Sequence, residues 1–461
     1  MTAAHTEKKP LSFLTILSYG LSYGSGYQIM GALVGSYLMV FLTDTFGIPA
    51  AAVGVIMVLA SIWDAINDPI MGVLADKVHT RFGRYRPFFL FIPALLTVVV
   101  VLLFKSPHLS DTGKIIWTAV FYIGYGMLRT AFEVPCNALI NAITDEEKER
   151  QKLISSYTLI MGIFTTVTTS FALALVSLFG GENTAKGYMM VVGIAGILMT
   201  VSCWVCFACT KERFVTPPAK HSLGEQLTKL FSVKGLIPTI IIWLAGYIGY
   251  NIMMGSSVYY LLYCLCRPDL ISGYMLTISV CGLAGISFFI PLLMRLCKSV
   301  KKSFAVSQLG TFACNALCLV LSRSVPAVFV FSGLASLCAT MFMVFGSMLM
   351  TEISDATFYH THTIMNGTIA ALKGFTNKCG IAVANGVVSG VLAATGYVAN
   401  AVGQEPQATV VGITCVRFAA PALMALVIVA ALRFYPITEE VKAVFAGLYG
   451  PDGAGKKERD A

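Results

Sequence analysis

The sequence predicts an all-α membrane protein with about twelve transmembrane helices in two six-helix bundles. Three observations carry that expectation. First, 57% of the 461 residues are hydrophobic and only 12% are charged, whereas a soluble domain carries roughly 25% charged residues. Second, apolar runs of the roughly 20 residues needed to cross a bilayer recur from one end of the chain to the other. Third, one long polar and basic interruption, 211–235, divides these runs six and six.

The first run begins near Leu11, after H-T-E-K-K-P, and continues to about Phe41. It is too long for a signal peptide and lacks a small-residue cleavage site, so it is expected to remain as the first helix. Hydropathy then places helices near 11–43, 50–75, 88–104, 115–143, 153–179 and 187–210. After the linker come 236–264, 270–296, 304–322, 326–352, 364–396 and 409–434. Six helices, a basic linker and six more is the layout of the major facilitator superfamily, whose halves are parallel repeats. The expected organisation is a bundle over 1–210, a linker over 211–235, a bundle over 236–434 and a tail over 435–461. No obvious sequence repeat links the halves, so this expectation rests on count and symmetry.

Lys and Arg set the expected orientation. One side receives Lys8, Lys9, Lys77, Arg81, Arg84, Arg86, Lys148, Arg150 and Lys152. The linker and the eighth loop add Lys211, Arg213, Lys220, Lys229, Lys234, Lys298, Lys301 and Lys302. The other side receives Lys105, Lys114, Lys186, Arg267 and Arg323. Both termini, the linker and the tail are therefore expected on the cytoplasmic side of the plasma (inner) membrane. The net charge of +9 follows from this asymmetry and anchorage to anionic head groups, and calls for no nucleic-acid partner.

The chemistry-bearing motifs exclude several function classes. Cys203, Cys206 and Cys209 have a spacing that metal sites use, but no His is near them and they end a helix, so they read as small hydrophobes. The chain has no H-E-x-x-H and no G-x-x-x-x-G-K-[ST] phosphate loop. No cofactor is expected, and no metal beyond a coupling cation. An enzyme would need a nucleophile or metal constellation, and a channel a continuous polar lining. Neither pattern is present.

What remains is buried charge, which is expensive within hydrocarbon and marks function. Helix two carries I-W-D-A-I-N-D-P. Asp64 and Asp68, four residues apart, share a helix face about 6 Å apart. Paired carboxylates repel, and so hold a proton or recruit a cation. Asn67 adds a neutral oxygen. Helix four carries L-R-T-A-F-E-V-P, with Arg129 and Glu133 at the same spacing. Counting from the helix ends puts Arg129 level with Asp64 and Glu133 level with Asp68. Lys378 lies near the middle of helix eleven. A purely structural ion-pair network is the plain alternative.

The block at 62–88, I-W-D-A-I-N-D-P-I-M-G-V-L-A-D-K-V-H-T-R-F-G-R-Y-R-P-F, resembles the glycoside–pentoside–hexuronide:cation symporters, the melibiose-permease-like branch of the superfamily. Further matches are L-S-Y-G at 17–20, T-D at 43–44, E-V-P at 133–135 and G-F-T-N-K-C-G at 374–380. The resemblance implies a cation site of Asp64, Asn67, Asp68, Thr130 and Glu133, and it links Lys378 to the same site. Oxygen ligands of this kind suit Na⁺, with H⁺ or Li⁺ as alternatives. It also implies a cytoplasmic gate loop with Gly72, Asp76, Arg81, Gly83 and Arg84, for which simple positive-inside anchoring is the alternative.

Departures fall on the sugar side. The family's helix-one aspartate aligns near Tyr27 or Gln28, its helix-four tryptophan at Asn137, and its helix-five arginine near Thr158. The loop after helix ten reads H-T-H-T, with His360 and His362, in place of a basic cluster. Candidate substrate contacts are Tyr23, Tyr27, Gln28, Arg129, Glu133, Asn137 and Lys378. Tyrosine can stack on a sugar face and hydrogen-bond its rim. Arg129 either balances the three buried carboxylates or reads an anionic substrate. The expected function is import of a sugar, glycoside or hexuronide coupled to a monovalent cation, by alternating access. The alternative is a symporter for a non-sugar amphiphile such as a lysophospholipid.

Overall fold

The computed structural model describes residues 11–77, 80–144, 146–213, 230–231, 233–361, 366–399 and 401–437. Twelve helices in it are long and apolar enough to cross a membrane. We number them α1 (Phe13–Thr45), α2 (Ala50–Lys77), α3 (Arg86–Leu103), α4 (Asp111–Ile143), α5 (Glu147–Gly180) and α6 (Thr184–Cys209). The second set is α7 (Leu236–Cys264), α8 (Pro268–Cys297), α9 (Val300–Val320), α10 (Val325–Thr361), α11 (Asn366–Ala394) and α12 (Gln407–Arg433). No strand occurs among the described residues, only an isolated bridge between Thr80 and Gly83.

Count and order match the sequence expectation; the ends differ where helices run on through polar residues. α5 begins at Glu147, not near 153, and α10 continues to Thr361, past the apolar run that ends near 352. Hydropathy locates the hydrocarbon-crossing part of a helix and is blind to a helical turn that stands in water.

The helices cluster into two compact units. One comprises Met1–Ile48 and Trp63–Pro218, the other Pro49–Ile62 and Ala219–Ala461. Burial of apolar surface from water drives little association between helices inside a bilayer, so close approach through small residues matters more. In the first unit α1 shows this. A Cβ on Gly24 would lie 2.9 Å from the backbone nitrogen of Met161 on α5, and one on Gly26 would lie 2.9 Å from the Met199 Cα on α6. Between these glycines the helix breaks at Ser25, with φ −99° and ψ −109°. Gly/Ser pairs are a common cause of such breaks. The break sits between Tyr23 and Tyr27, and both rings remain buried against the unit's interior.

The second unit centres on the buried Trp243, Phe304, Phe342 and Phe345. Trp243 donates its indole N–H to the Gly346 carbonyl at 2.9 Å, so the largest side chain of this core leaves no donor unsatisfied. Among the described residues its helices carry three π-helical turns, Tyr260–Cys264, Gly285–Phe289 and Cys415–Ala419.

Candidate functional site

The predicted polar residues of the first unit separate into two adjoining clusters. The first lies between α2 and α4. Thr130 donates to Asp68 Oδ1 at 2.7 Å. One turn away, the Asp64 carboxylate rests against the backbone of α4 at Gly126, where an added Cβ would fall 2.9 Å from Oδ2 and closer still to Oδ1. Asn67 is buried, 4% exposed, and its amide nitrogen has no hydrogen-bond partner among the described residues. Gly126 is thus one residue that sequence reasoning missed. Only the absence of a side chain lets a carboxylate reach the α4 backbone, and a glycine in a span gives no such signal by itself.

These contacts also correct the expected register. Asp64 pairs with Gly126 and Asp68 with Thr130, so Arg129 and Glu133 lie about one helical turn further along than counting from the helix ends implied. The count failed because α4 begins at Asp111, about one turn before the predicted 115.

The second cluster joins α1 to α4. Both oxygens of Glu133 accept phenolic hydrogen bonds, from Tyr23 at 3.2 Å and from Tyr27 at 2.9 Å. Arg129 Nε donates to the Tyr27 oxygen at 3.1 Å and lies 3.5 Å from Glu133 Oε2. Arg129 and Glu133 share one α4 face at i,i+4. Tyr23 and Tyr27 stack at 5.2 Å, with Tyr157 edge-on to Tyr23 at 5.2 Å and Phe132 5.3 Å from Tyr27. Aromatic walls on three sides therefore hold the phenols to the carboxylate. The Arg129 and Glu133 side chains stay 40% and 37% exposed within this wall, so the charged pair remains reachable.

The other candidates are placed less centrally. Gln28 turns its amide back onto the Tyr23 carbonyl at 3.3 Å, satisfying an acceptor released by the break at Ser25. Asn137 is exposed, one turn beyond Glu133. Lys378 is half-buried on α11 and belongs to the second unit. His362 and the side chains of His360 and Asp76 lie outside the described residues, and Gly72 is described only as part of the α2 backbone.

The rest of the predicted gate loop is held by an acidic residue the sequence reading did not single out. Glu212, just past α6, accepts the backbone N–H groups of Arg84 at 2.8 Å, Tyr85 at 2.7 Å and Arg86 at 2.9 Å. These are orphan donors at the start of α3, where the helix dipole also favours a negative charge. Gly83 takes φ +111° to bring the chain around, and a Cβ there would fall 2.6 Å from Glu212 Oε1. Arg86 donates to the Phe207 carbonyl at 2.6 Å and lies over the Phe207 ring at 4.5 Å. Arg81 is exposed, stacked on Phe82 at 4.7 Å.

Twelve apolar helices, with buried charges confined to a few clusters, define a multi-pass membrane transporter of the major facilitator fold. The pattern of the MFS/sugar transport protein family matches residues 19–439, and the chain belongs to that family, in its glycoside–pentoside–hexuronide symporter branch. It is 30% identical to the uncharacterised symporter YnaJ of Bacillus subtilis (strain 168), over 91% of this chain and 92% of that one. It is 28% identical to the isoprimeverose transporter of Lactiplantibacillus pentosus, over 83% and 80%. The sodium-dependent lysophosphatidylcholine symporter 1-B of Danio rerio matches at 34%, but over 32% of this chain and 28% of its own. Among solved structures, the D-xylose-proton symporter superposes with a TM-score of 0.62 at 13% identity, covering 93% of this chain and 98% of that one, a likeness of fold alone.

Proposed function

We propose that this protein imports a sugar, glycoside or hexuronide by symport with a monovalent cation, Na⁺ in the first instance and H⁺ or Li⁺ otherwise. The observation that carries the reading is the pair of carboxylates on one face of α2, each seated on α4: Asp68 on the Thr130 hydroxyl, Asp64 on Gly126. Two anionic groups one turn apart, with a hydroxyl and a neutral amide beside them, offer the hard oxygen ligands that a small cation takes. The neighbouring Tyr23–Tyr27–Glu133–Arg129 cluster supplies phenols for a sugar ring and charged groups for its hydroxyls. Arg129 touches both the carboxylate and a phenol, which supports charge balance as its first role. Lys378 is assigned with them on the family resemblance.

Two findings weigh against the lysophospholipid alternative. The isoprimeverose transporter matches along most of its length, whereas the lysophosphatidylcholine symporter matches over less than a third. The α1–α4 cluster also presents hydroxyl, carboxylate and guanidinium groups, which suit a polyol better than an acyl chain. The termini are assigned to the cytoplasm on the Lys and Arg distribution, and Gly72, Asp76, Arg81, Gly83 and Arg84 are assigned to a cytoplasmic gate on the family resemblance.

Uptake into membrane vesicles under imposed Na⁺, Li⁺ or H⁺ gradients, screened over glycosides, hexuronides and lysophosphatidylcholine, tests the whole reading. Gradient-driven accumulation of a sugar by the wild type, lost in Asp64→Cys and Asp68→Cys with insertion retained, is the expected result. Full accumulation by either mutant would overturn the cation site. Accumulation of the lysolipid alone would overturn the substrate class.

A further inference from the structure

We propose that Arg417, inside the second unit, holds a small monovalent anion of the chloride class, at a site separate from the cation and substrate residues. Arg417 is 0% exposed, at the centre of the π-helical turn Cys415–Ala419 in α12. Its Nη2 donates to the Tyr274 hydroxyl of α8. Tyr274 in turn donates to Ser332 Oγ of α10 at 3.0 Å, and Cys318 of α9 lies 3.5 Å beyond. The guanidinium faces the rings of Phe418 at 4.9 Å and Tyr274 at 5.6 Å. Each of these partners is neutral, and among the described residues Arg417 forms no ion pair.

Two of its nitrogens, Nε and Nη1, are fully buried with no hydrogen-bond partner among the described residues. Arginine cannot shed its proton to escape that cost, and an unpaired charge in a membrane interior is among the most expensive groups a protein can bury. Aromatic faces recover part of the cost through cation–π attraction but accept no N–H. A water molecule would accept the hydrogen bonds without balancing the charge. A small anion balances the charge and accepts from one of these nitrogens, with water left for the other, because Nε–H and the Nη1 hydrogens point from different sides of the planar guanidinium. Full burial excludes a large one.

One further observation fits a functional role here. The π-turn that carries Arg417 is an irregularity that recurs at functional positions in helices.

The test uses the full chain, purified in detergent, with thermal unfolding followed as chloride or bromide replaces gluconate at constant ionic strength and constant Na⁺. The wild type should gain Tm with either halide and saturate. Arg417→Met, of similar volume, should show no halide increment. Arg417→Lys keeps the charge but loses the fork, and should need at least about tenfold more halide for half its effect. Wild-type melting identical in gluconate and chloride would overturn the proposal, as would a full halide increment in Arg417→Met, since water alone would then fill the site. Should Arg417→Met fail to fold, anomalous scattering from wild-type crystals grown in bromide decides. A peak beside Nε or Nη1 supports the site, and its absence from both overturns it.

Discussion

Replacing Thr130 by valine keeps the shape of the side chain and deletes one hydroxyl. That hydroxyl is buried, 3% exposed, and donates to Asp68 Oδ1 at 2.7 Å. A hydrogen bond to a charged group contributes about 1.5–3 kcal/mol. Because Asp68 is only half-buried, the lower end applies, and about 1.5 kcal/mol corresponds to roughly a tenfold change in an equilibrium constant. If Asp68 and the Thr130 oxygen both face the coupling ion, the valine variant loses a ligand and frees the carboxylate to rotate. The cation concentration for half-maximal uptake should then rise about tenfold, with protein abundance in the membrane unchanged. The assay is initial uptake into vesicles across a cation titration at fixed substrate. Thr130→Ser, which restores the hydroxyl, should recover most of the wild-type value. A half-saturating concentration within twofold of wild type in the valine variant, or a serine variant as impaired as valine, would refute the reasoning.

Gly126→Ala adds a methyl where the Asp64 carboxylate now lies, and should weaken cation coupling more than removal of the Thr130 hydroxyl while insertion is normal; unchanged ion dependence would show that Asp64 has room elsewhere. Arg129→Gln removes the guanidinium from Tyr27 and Glu133. We expect altered cation dependence for every substrate alike, and selective loss of acidic sugars with cation dependence intact would assign Arg129 to the substrate instead. Glu212→Gln replaces one acceptor oxygen by a donor facing the α3 amides. It should lower the stability of the purified protein by about 1–2 kcal/mol, the size of a lost helix cap, read as a fall in Tm; an unchanged Tm would show that water replaces the carboxylate at no cost.

The helices were legible because each must carry about 20 apolar residues to cross the bilayer, a signal independent of what packs against it. Asp64, Asp68, Arg129 and Glu133 stood out for the converse reason, as charges where charge is costly. The glycines were not legible, because their function is a distance to something on another helix. Gly24 and Gly26 bracket the break at Ser25, and Gly126 admits Asp64. Arg417 was equally hidden: a basic residue eight positions after the expected start of helix twelve reads as one more charge near a membrane face, and only the structure reveals that it is buried with no counter-charge among the described residues. Tyr23 and Tyr27 were singled out as sugar platforms, whereas the structure has both hydroxyls engaged by one carboxylate, a pairing between helices distant in sequence that no local pattern encodes.

The carboxylate that closes the start of α3 also says where the first half of the chain ends. The last helix of that half stops at Cys209, and a biochemist dividing the transporter into two co-expressed fragments would cut there. Glu212 lies three residues further on, and the backbone N–H of Arg213 is bound to the Ala142 carbonyl at 2.7 Å. A cut after Cys209 would strand both on the wrong fragment and leave the amide donors of Arg84, Tyr85 and Arg86 without that acceptor. A cut after Arg213 keeps the N-terminal fragment's own bonds with it. Fragment complementation should therefore depend sharply on a shift of four residues in the cleavage point.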